Sequence, residues 1–347
     1  MSENHIALYR KYRPSNFDSV IGQDHIVKAI GGALKSGKIG HAYILCGPRG
    51  TGKTTIARII ARELGTSPHD IYELDAASNR GIDEMRSLRE NVNTLPFDSK
   101  YKVYILDEVH MLTGPAWNAI LKTLEEPPAH VVFILATTEL DKVPDTIISR
   151  CQTFIFKKPS DSILVDVINS VAKAEGYSIE EGGAELLALV GDGSFRDTLS
   201  ILDKVISFAQ GKKVLFDDIV SVTGAPSRAL VEDFISSLAE NDLDKGMKAI
   251  MRAKENNIDV EVYLKMILSH LRYALMLRYA PKTKDDISSK ISVHDLDFLI
   301  EIVSKKPEHI SSNTLSILLE TYQALHHSFI ATLPLELALI KILNGSK

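Results

Sequence analysis

Gly47-Pro48-Arg49-Gly50-Thr51-Gly52-Lys53-Thr54 spaces its glycines, lysine and hydroxyl as G-x-x-x-x-G-K-[ST]. That spacing lets backbone N–H groups turn inward onto phosphate oxygens. Lys53 has the reach for the outer phosphates, and the Thr54 hydroxyl can ligate Mg²⁺. The apolar run Ala42-Tyr43-Ile44-Leu45-Cys46 enters the loop as a buried strand does, and the run from Thr55 to Arg62 leaves it with helical spacing. A helix beginning there adds its positive dipole end to the cradle. Nucleoside triphosphate binding is expected.

Further acidic and cationic side chains fit the same chemistry. Leu106-Asp107-Glu108 closes an apolar strand about 50 residues beyond the loop. Asp107 suits the magnesium shell, and Glu108 can polarise a water for attack on the γ-phosphate. At the end of the next apolar run, Thr137-Thr138 offers a hydroxyl to the attacking water or the γ-phosphate, or caps the following turn. Arg150, in Ser149-Arg150-Cys151, reads either as a surface ion pair or as an arginine finger on the transferring phosphoryl. Arg196 opens a helix in Gly193-Ser194-Phe195-Arg196-Asp197 and has the charge to report a γ-phosphate to a lid.

These residues need a scaffold. Within 24–156, short apolar runs (42–46, 71–74, 103–106, 131–135, 153–156) alternate with helical stretches near 83–95 and 116–126. Such alternation predicts a parallel sheet covered on both faces. Lys157-Lys158-Pro159-Ser160 reads as a boundary, with Ser160 as a helix cap, and strand signals nearly vanish beyond it. Helices are expected near 162–175, 183–190, 195–209 and 217–222, then, after the break Gly224-Ala225-Pro226-Ser227, near 230–240, 243–255, 260–279, 295–304 and 314–329. Three units follow: 1–158, 159–223 and 224–347.

With 347 residues, 45% of them hydrophobic, the chain can build more than one core. Its formal net charge of −5 excludes a basic footprint over the whole protein, so any nucleic-acid contact must come from a local patch or an assembly. Arg80, Lys100 and Lys102 are the local candidates. Cys46 and Cys151 are too few for a disulfide framework or a four-thiolate zinc site. The polar start Met1-Ser2-Glu3-Asn4-His5 and the absence of an uninterrupted apolar run of ~20 residues predict a cytoplasmic protein with no membrane contact.

On these residues the chain resembles the gamma/tau ATPase family of bacterial DNA polymerase III clamp loaders, within the AAA+ class. The resemblance is carried by Tyr9-Arg10-Lys11-Tyr12-Arg13-Pro14, Val20-Ile21-Gly22-Gln23, the phosphate loop and Glu73-Leu74-Asp75-Ala76-Ala77-Ser78. It continues through Asp107-Glu108-Val109-His110-Met111-Leu112, Leu121-Lys122-Thr123-Leu124-Glu125-Glu126-Pro127-Pro128, Ala136-Thr137-Thr138 and Ser149-Arg150-Cys151. It covers 1–158 closely and reaches 193–203. The resemblance implies an α/β AAA+ P-loop domain with a five-stranded parallel sheet, then a small helical lid domain, then an all-α collar for oligomerisation.

The resemblance also implies roles. Asp107 and Glu108 fall on the magnesium and catalytic-acid positions, Thr138 on sensor 1 with Thr137 as runner-up, Arg150 on a finger serving the neighbouring subunit, and Arg196 on sensor 2. Tyr9, Arg13, Val20 and Ile21 fall where the family cradles the adenine and its ribose. Implied partners are copies of this chain, delta- and delta-prime-type subunits in a pentameric ring, a sliding clamp and primer–template DNA. ATP and Mg²⁺ are the implied cofactors. Family members commonly carry a four-cysteine zinc module where this chain has only Gly65-Thr66-Ser67-Pro68-His69-Asp70, so no structural zinc is expected, and His69 reads as a solvated loop residue. The longer tau form continues past the bundle to polymerase and helicase, whereas this sequence stops at Lys347, as a gamma-like or truncated form would. A regulatory subunit that binds nucleotide without turnover, and another AAA+ DNA motor such as a branch-migration helicase, are the alternative readings.

Overall fold

A computed structural model describes residues 6–288 and 290–345; the polar start at 1–5 and the terminal lysine lie outside the described residues. Contacts divide the chain into two compact units, one of residues 1–163 with Gly193–Asp197, the other of Leu164–Asp192 with Thr198–Lys347.

In the first unit five strands form an all-parallel sheet: β1 (Ala42–Cys46), β2 (Ile71–Asp75), β3 (Lys102–Asp107), β4 (Val131–Thr137) and β5 (Gln152–Ile155), in the order β2-β3-β4-β1-β5. β1 and β4 are buried at every residue, as central parallel strands must be, and they are the most continuously apolar runs. The edge strands β2 and β5 are mostly exposed. Alternation sorts the side chains. Ile44, Tyr104, Leu106, Phe133 and Leu135 face helices Ile82–Val92 and Gly114–Glu125, while Tyr43, Leu45, Val103, Ile105 and Ile134 face helices Asp24–Lys35 and Lys53–Glu63. Each wholly buried Leu or Ile contributes roughly 1.5–3 kcal/mol, so the two layers fix the strand ends firmly.

The predicted strands and helices agree with those observed to within a few residues. Phe156 lies just beyond β5, buried under the loop rather than in the strand. Ser160 does cap, its hydroxyl accepting from the Ile163 N–H at the start of helix Asp161–Ala174. Lys102 is corrected as a nucleic-acid candidate. It is buried, and its ammonium donates to the Asn91 carbonyl at 2.8 Å and to Thr94 Oγ1 at 2.7 Å, closing the end of helix Ile82–Val92. Arg80 and Lys100 are on the surface.

A buried carboxylate pins the segment leading into β3. Asp70 accepts from the backbone N–H groups of Phe97 at 2.6 Å and of Asp98 and Ser99 at 2.9 Å each. Burial raises its carboxyl, but the N–H groups outweigh that and hold it below the usual range. Replacing Asp70 with Ala should cost about 2–3 kcal/mol, read as a lower urea midpoint with unchanged slope. Since the folded value is depressed, that contribution is full above the unfolded value of about 3.9 and vanishes as pH falls through the folded one. The variant's deficit should therefore shrink in acid.

Among its described residues the second unit is helical apart from a two-stranded parallel pair, Ser178–Ile179 with Lys213–Val214. In the helix Val260–Tyr279, the apolar stripe Ile267, Leu271 and Leu277 is buried within this unit and Leu275 is half-buried. They hold the chain's own bundle together. The helix Leu333–Asn344, absent from the sequence reading, buries Leu335, Ala338, Leu339, Ile342 and Leu343 on one face and exposes Leu333, Leu337 and Ile340 on the other. Pro334 sits in its first turn, where a missing N–H costs nothing. Among the described residues no helix is long and apolar enough to cross a membrane.

Candidate functional site

All five strands run one way, so the C-terminal ends of β1, β3 and β4 share one edge. The register pairs Cys46 with Thr137 and Leu106 with Leu135, and the Gly47 N–H donates to the Thr137 carbonyl at 3.1 Å. The phosphate loop, Asp107, Glu108 and Thr138 therefore meet at this edge, where open α/β sheets hold ligands.

The loop is a backbone cradle. Gly47, Gly50 and Gly52 have φ of +154°, +73° and +104°. A Cβ on Gly47 would lie 2.6 Å from the Phe156 carbonyl oxygen, and one on Gly50 would overlap the Ser194 hydroxyl, so only glycine fits at either. Pro48 and Arg49 form the bend between them, and Thr51 Oγ1 donates to the Pro48 carbonyl at 2.8 Å. Lys53 is buried, its ammonium donating to the Gly47 carbonyl at 2.7 Å and the Pro48 carbonyl at 2.9 Å. Burial pushes its ammonium below the usual value, against Glu108 and Asp107, which raise it. Thr54 and Thr55 occupy the first turn of helix Lys53–Glu63, whose N-terminus opens onto the loop.

Thr54 Oγ1 donates to Asp107 Oδ2 at 2.6 Å. A hydroxyl and a carboxylate in contact, beside a left-handed glycine cradle that any Cβ would fill, are hard oxygen donors of the kind Mg²⁺ takes, so these residues fit the ion. Glu108 stands in the left-handed region (φ +50°, ψ +43°), its N–H donating to Asp107 Oδ1 at 3.0 Å. A non-glycine residue there costs about 1–2 kcal/mol, and this turn aims the two adjacent carboxylates separately. Thr138 Oγ1 donates to Glu108 Oε2 at 3.4 Å. Thr137 is wholly buried, and its hydroxyl donates to the Glu139 carbonyl at 3.1 Å and accepts the Glu139 N–H at 3.0 Å. The threonine pair thus divides, Thr137 capping the turn while the Thr138 hydroxyl faces the Glu108 carboxylate.

The segment Gly193–Asp197 belongs to the first unit and reaches the loop directly, the Phe195 N–H donating to the Gly50 carbonyl at 3.1 Å. The Arg196 guanidinium lies 5.3 Å from the centre of the Tyr9 ring. Arg13 is half-buried close by, its guanidinium held below its usual value by burial, then by Arg58, while Glu73 raises it. Val20 packs against the core layer, Ile21 is exposed, and Gly22 faces Ile163 and Phe195. Gln23 joins this segment to the end of β5, its amide donating to the Lys157 carbonyl at 2.8 Å.

Arg150 is elsewhere. It precedes β5 by two residues and so stands at the N-terminal edge of the sheet. Its guanidinium donates to the Thr146 carbonyl at 2.6 Å and pairs with Glu125 at 2.7 Å, which gives the first glutamate of the Leu-Glu-Glu-Pro-Pro run a local partner. At about 3.3 Å per residue, the strand length between the two edges is about 15–20 Å. Two further residues join the site without a spacing that announces them: Arg58 forks onto Glu73 at 2.8 and 2.7 Å beside Arg13, and His110 touches Thr137. Arg58 lies on the helix after the loop with an acid in the next strand, a signal spacing alone leaves unread.

A sequence model described as the DNA polymerase III delta subunit matches residues 65–160, and one described as the ATPase lid domain of the DNA polymerase III clamp loader subunit matches 164–211. The chain is 37% identical to the DNA polymerase III subunit tau of Bacillus subtilis, over 98% of this chain and 63% of that protein. It is 37% identical to the gamma/tau subunit of Mycoplasma genitalium, over 76% of this chain and 48% of that protein. Against the gamma subunit of Buchnera aphidicola subsp. Baizongia pistaciae it is 36% identical, over 86% and 87%. The chain thus spans about half to two thirds of the tau and gamma/tau relatives' length. Among solved structures, the Thermotoga maritima RuvB Holliday junction branch migration motor superposes with a TM-score of 0.52 over 66% of this chain and 80% of that one. At 22% identity this likeness speaks for the fold alone.

Proposed function

This chain belongs to the DNA polymerase III gamma/tau family, and from that premise we propose that it is the ATP-hydrolysing subunit of a sliding-clamp loader. Loop N–H groups take the phosphates, and Lys53 exchanges the Gly47 and Pro48 carbonyls for phosphate oxygens. Thr54 and Asp107 would hold Mg²⁺, which when bound neutralises charge on the outer phosphates. Glu108 accepts the proton of the attacking water, with the Thr138 hydroxyl steadying its carboxylate. Tyr9, Arg13, Val20 and Ile21 line the side of the site assigned to base and ribose, and Arg196, against Tyr9, senses the γ-phosphate.

One observation carries the reading. The acid and the phosphate loop occupy one edge of the sheet while Arg150 is anchored at the other. A guanidinium so placed is presented outward, to a neighbouring subunit's phosphates. We read the surrounding assembly as a ring of five, containing copies of this chain with delta- and delta-prime-type subunits, which engages a sliding clamp and primer–template DNA in the cytoplasm. The domain bounds 1–158, 159–223 and 224–347 belong to this proposal, as does the exposed ridge Leu333, Leu337 and Ile340 as a collar surface in place of the interior stripe. The test mixes the chain with its companion subunits, clamp and primed circular DNA. ATP-dependent retention of the clamp on DNA is expected. Turnover without clamp retention, or strand displacement of a duplex, would favour the motor reading instead.

A further inference from the structure

His110 stands between Glu108 and the turn that follows β4. It lies in the short turn Val109–Met111 directly after Glu108, with its side chain 10% exposed. Its Nδ1 is 3.2 Å from Thr137 Oγ1 and 3.5 Å from Glu108 Oε2, and its Nε2 is 3.4 Å from Glu139 Oε1. Lys142 holds the other oxygen of Glu139 at 2.7 Å, so that carboxylate is anchored independently.

The hydrogen-bond pattern fixes which way the ring works. The Thr137 hydroxyl already gives its proton to the Glu139 carbonyl, so towards the imidazole it can only accept. Nδ1 therefore carries a proton and offers it between Thr137 and Glu108, an assignment made from the network. Glu108 needs such a partner. Its side chain is a third exposed, and its other described side-chain contact is the long 3.4 Å bond from Thr138. A glutamate with three rotatable bonds on a left-handed turn would otherwise sample many orientations.

We propose that His110 is a positioning residue for hydrolysis, tying the water-activating carboxylate at the end of β3 to the turn at the end of β4. The inference rests on the reading of Glu108 as the base. It gives His110 no contact with nucleotide, so it separates turnover from binding.

The experiment measures steady-state ATP turnover in the assembly with clamp and primed DNA, ATP affinity by equilibrium binding, and thermal melting, for H110A, H110N, H110Q and E108Q. An asparagine amide stands about where Nδ1 does, whereas glutamine mimics Nε2. H110A is expected to turn over ATP about tenfold more slowly with affinity within twofold of the parent, since a misplacement of about 1 Å can cost about 10²-fold. H110N should recover to within threefold of the parent, and H110Q should stay with H110A. Turnover by H110A within threefold of the parent, a matching loss of ATP affinity, or no advantage of H110N over H110A would each overturn the proposal. E108Q separates the two levels. If it hydrolyses ATP normally, the assignment of the base fails; if it is inactive while H110A is not, only the role of His110 fails.

Discussion

Glu108→Gln should lower ATP turnover by about 10²–10⁴-fold, the range a positioned general base contributes, while ATP affinity stays close to the parent's. The amide keeps the size of the side chain and an oxygen for the Thr138 hydroxyl, but it cannot take a proton. The proposed phosphate contacts lie in the loop and Lys53, whose ammonium is held by the Gly47 and Pro48 carbonyls and which this change leaves alone. Turnover in the full assembly and binding of a fluorescent ATP analogue check both halves. A variant that loses affinity in step with rate would place Glu108 in binding or folding rather than in the chemistry.

Arg150→Ala carries the second large effect, and magnitudes decide between its two readings. If the guanidinium only pairs with Glu125 at a half-exposed surface, its removal costs about 0–1 kcal/mol of stability and nothing in rate. If it completes a neighbour's site, turnover falls by about 10³-fold or more, which is about 4 kcal/mol of barrier. We expect the large loss, with melting and the chain's own ATP affinity nearly unchanged. Glu125→Gln should move turnover far less, because it frees the guanidinium without removing it. A rate loss in Glu125→Gln equal to that in Arg150→Ala would mean that the ion pair itself is what matters.

Much of this was legible in the chain because local chemistry dictates it. Ala42–Cys46 is apolar at every position, which a central parallel strand requires, and the loop after it has glycines exactly where positive φ is needed in two places occupied by other backbone or side-chain atoms. That Asp107 and Glu108 stand at a strand end could be read from their place after an apolar run. Features set by tertiary register were not legible. That Thr137 caps and Thr138 faces the acid depends on how the turn after β4 closes, which no spacing encodes. Lys102 reads as a nucleic-acid candidate because lysines are mostly exposed, whereas here it caps the helix before its strand and lies near the Tyr72 and Tyr104 rings. His110 escaped notice because its three partners come from the ends of two different strands. The last helix escaped because Pro334 reads as a break in a periodic pattern and as a start only once the turn is seen.

Catalysis shared between neighbouring chains is tested most directly by mixing two inactive proteins. If Lys53 and Arg150 act as proposed, assemblies of Lys53→Ala chains cannot bind the phosphates productively, and those of Arg150→Ala chains lack the donated guanidinium. Where a Lys53→Ala chain sits with its intact Arg150 against an Arg150→Ala chain with an intact loop, a whole site is rebuilt. ATP turnover of the mixture should rise well above the sum of the two separate assemblies and follow the proportion of mixed neighbours. Turnover of the mixture no greater than that sum, with both variants shown to co-assemble, would contradict the account.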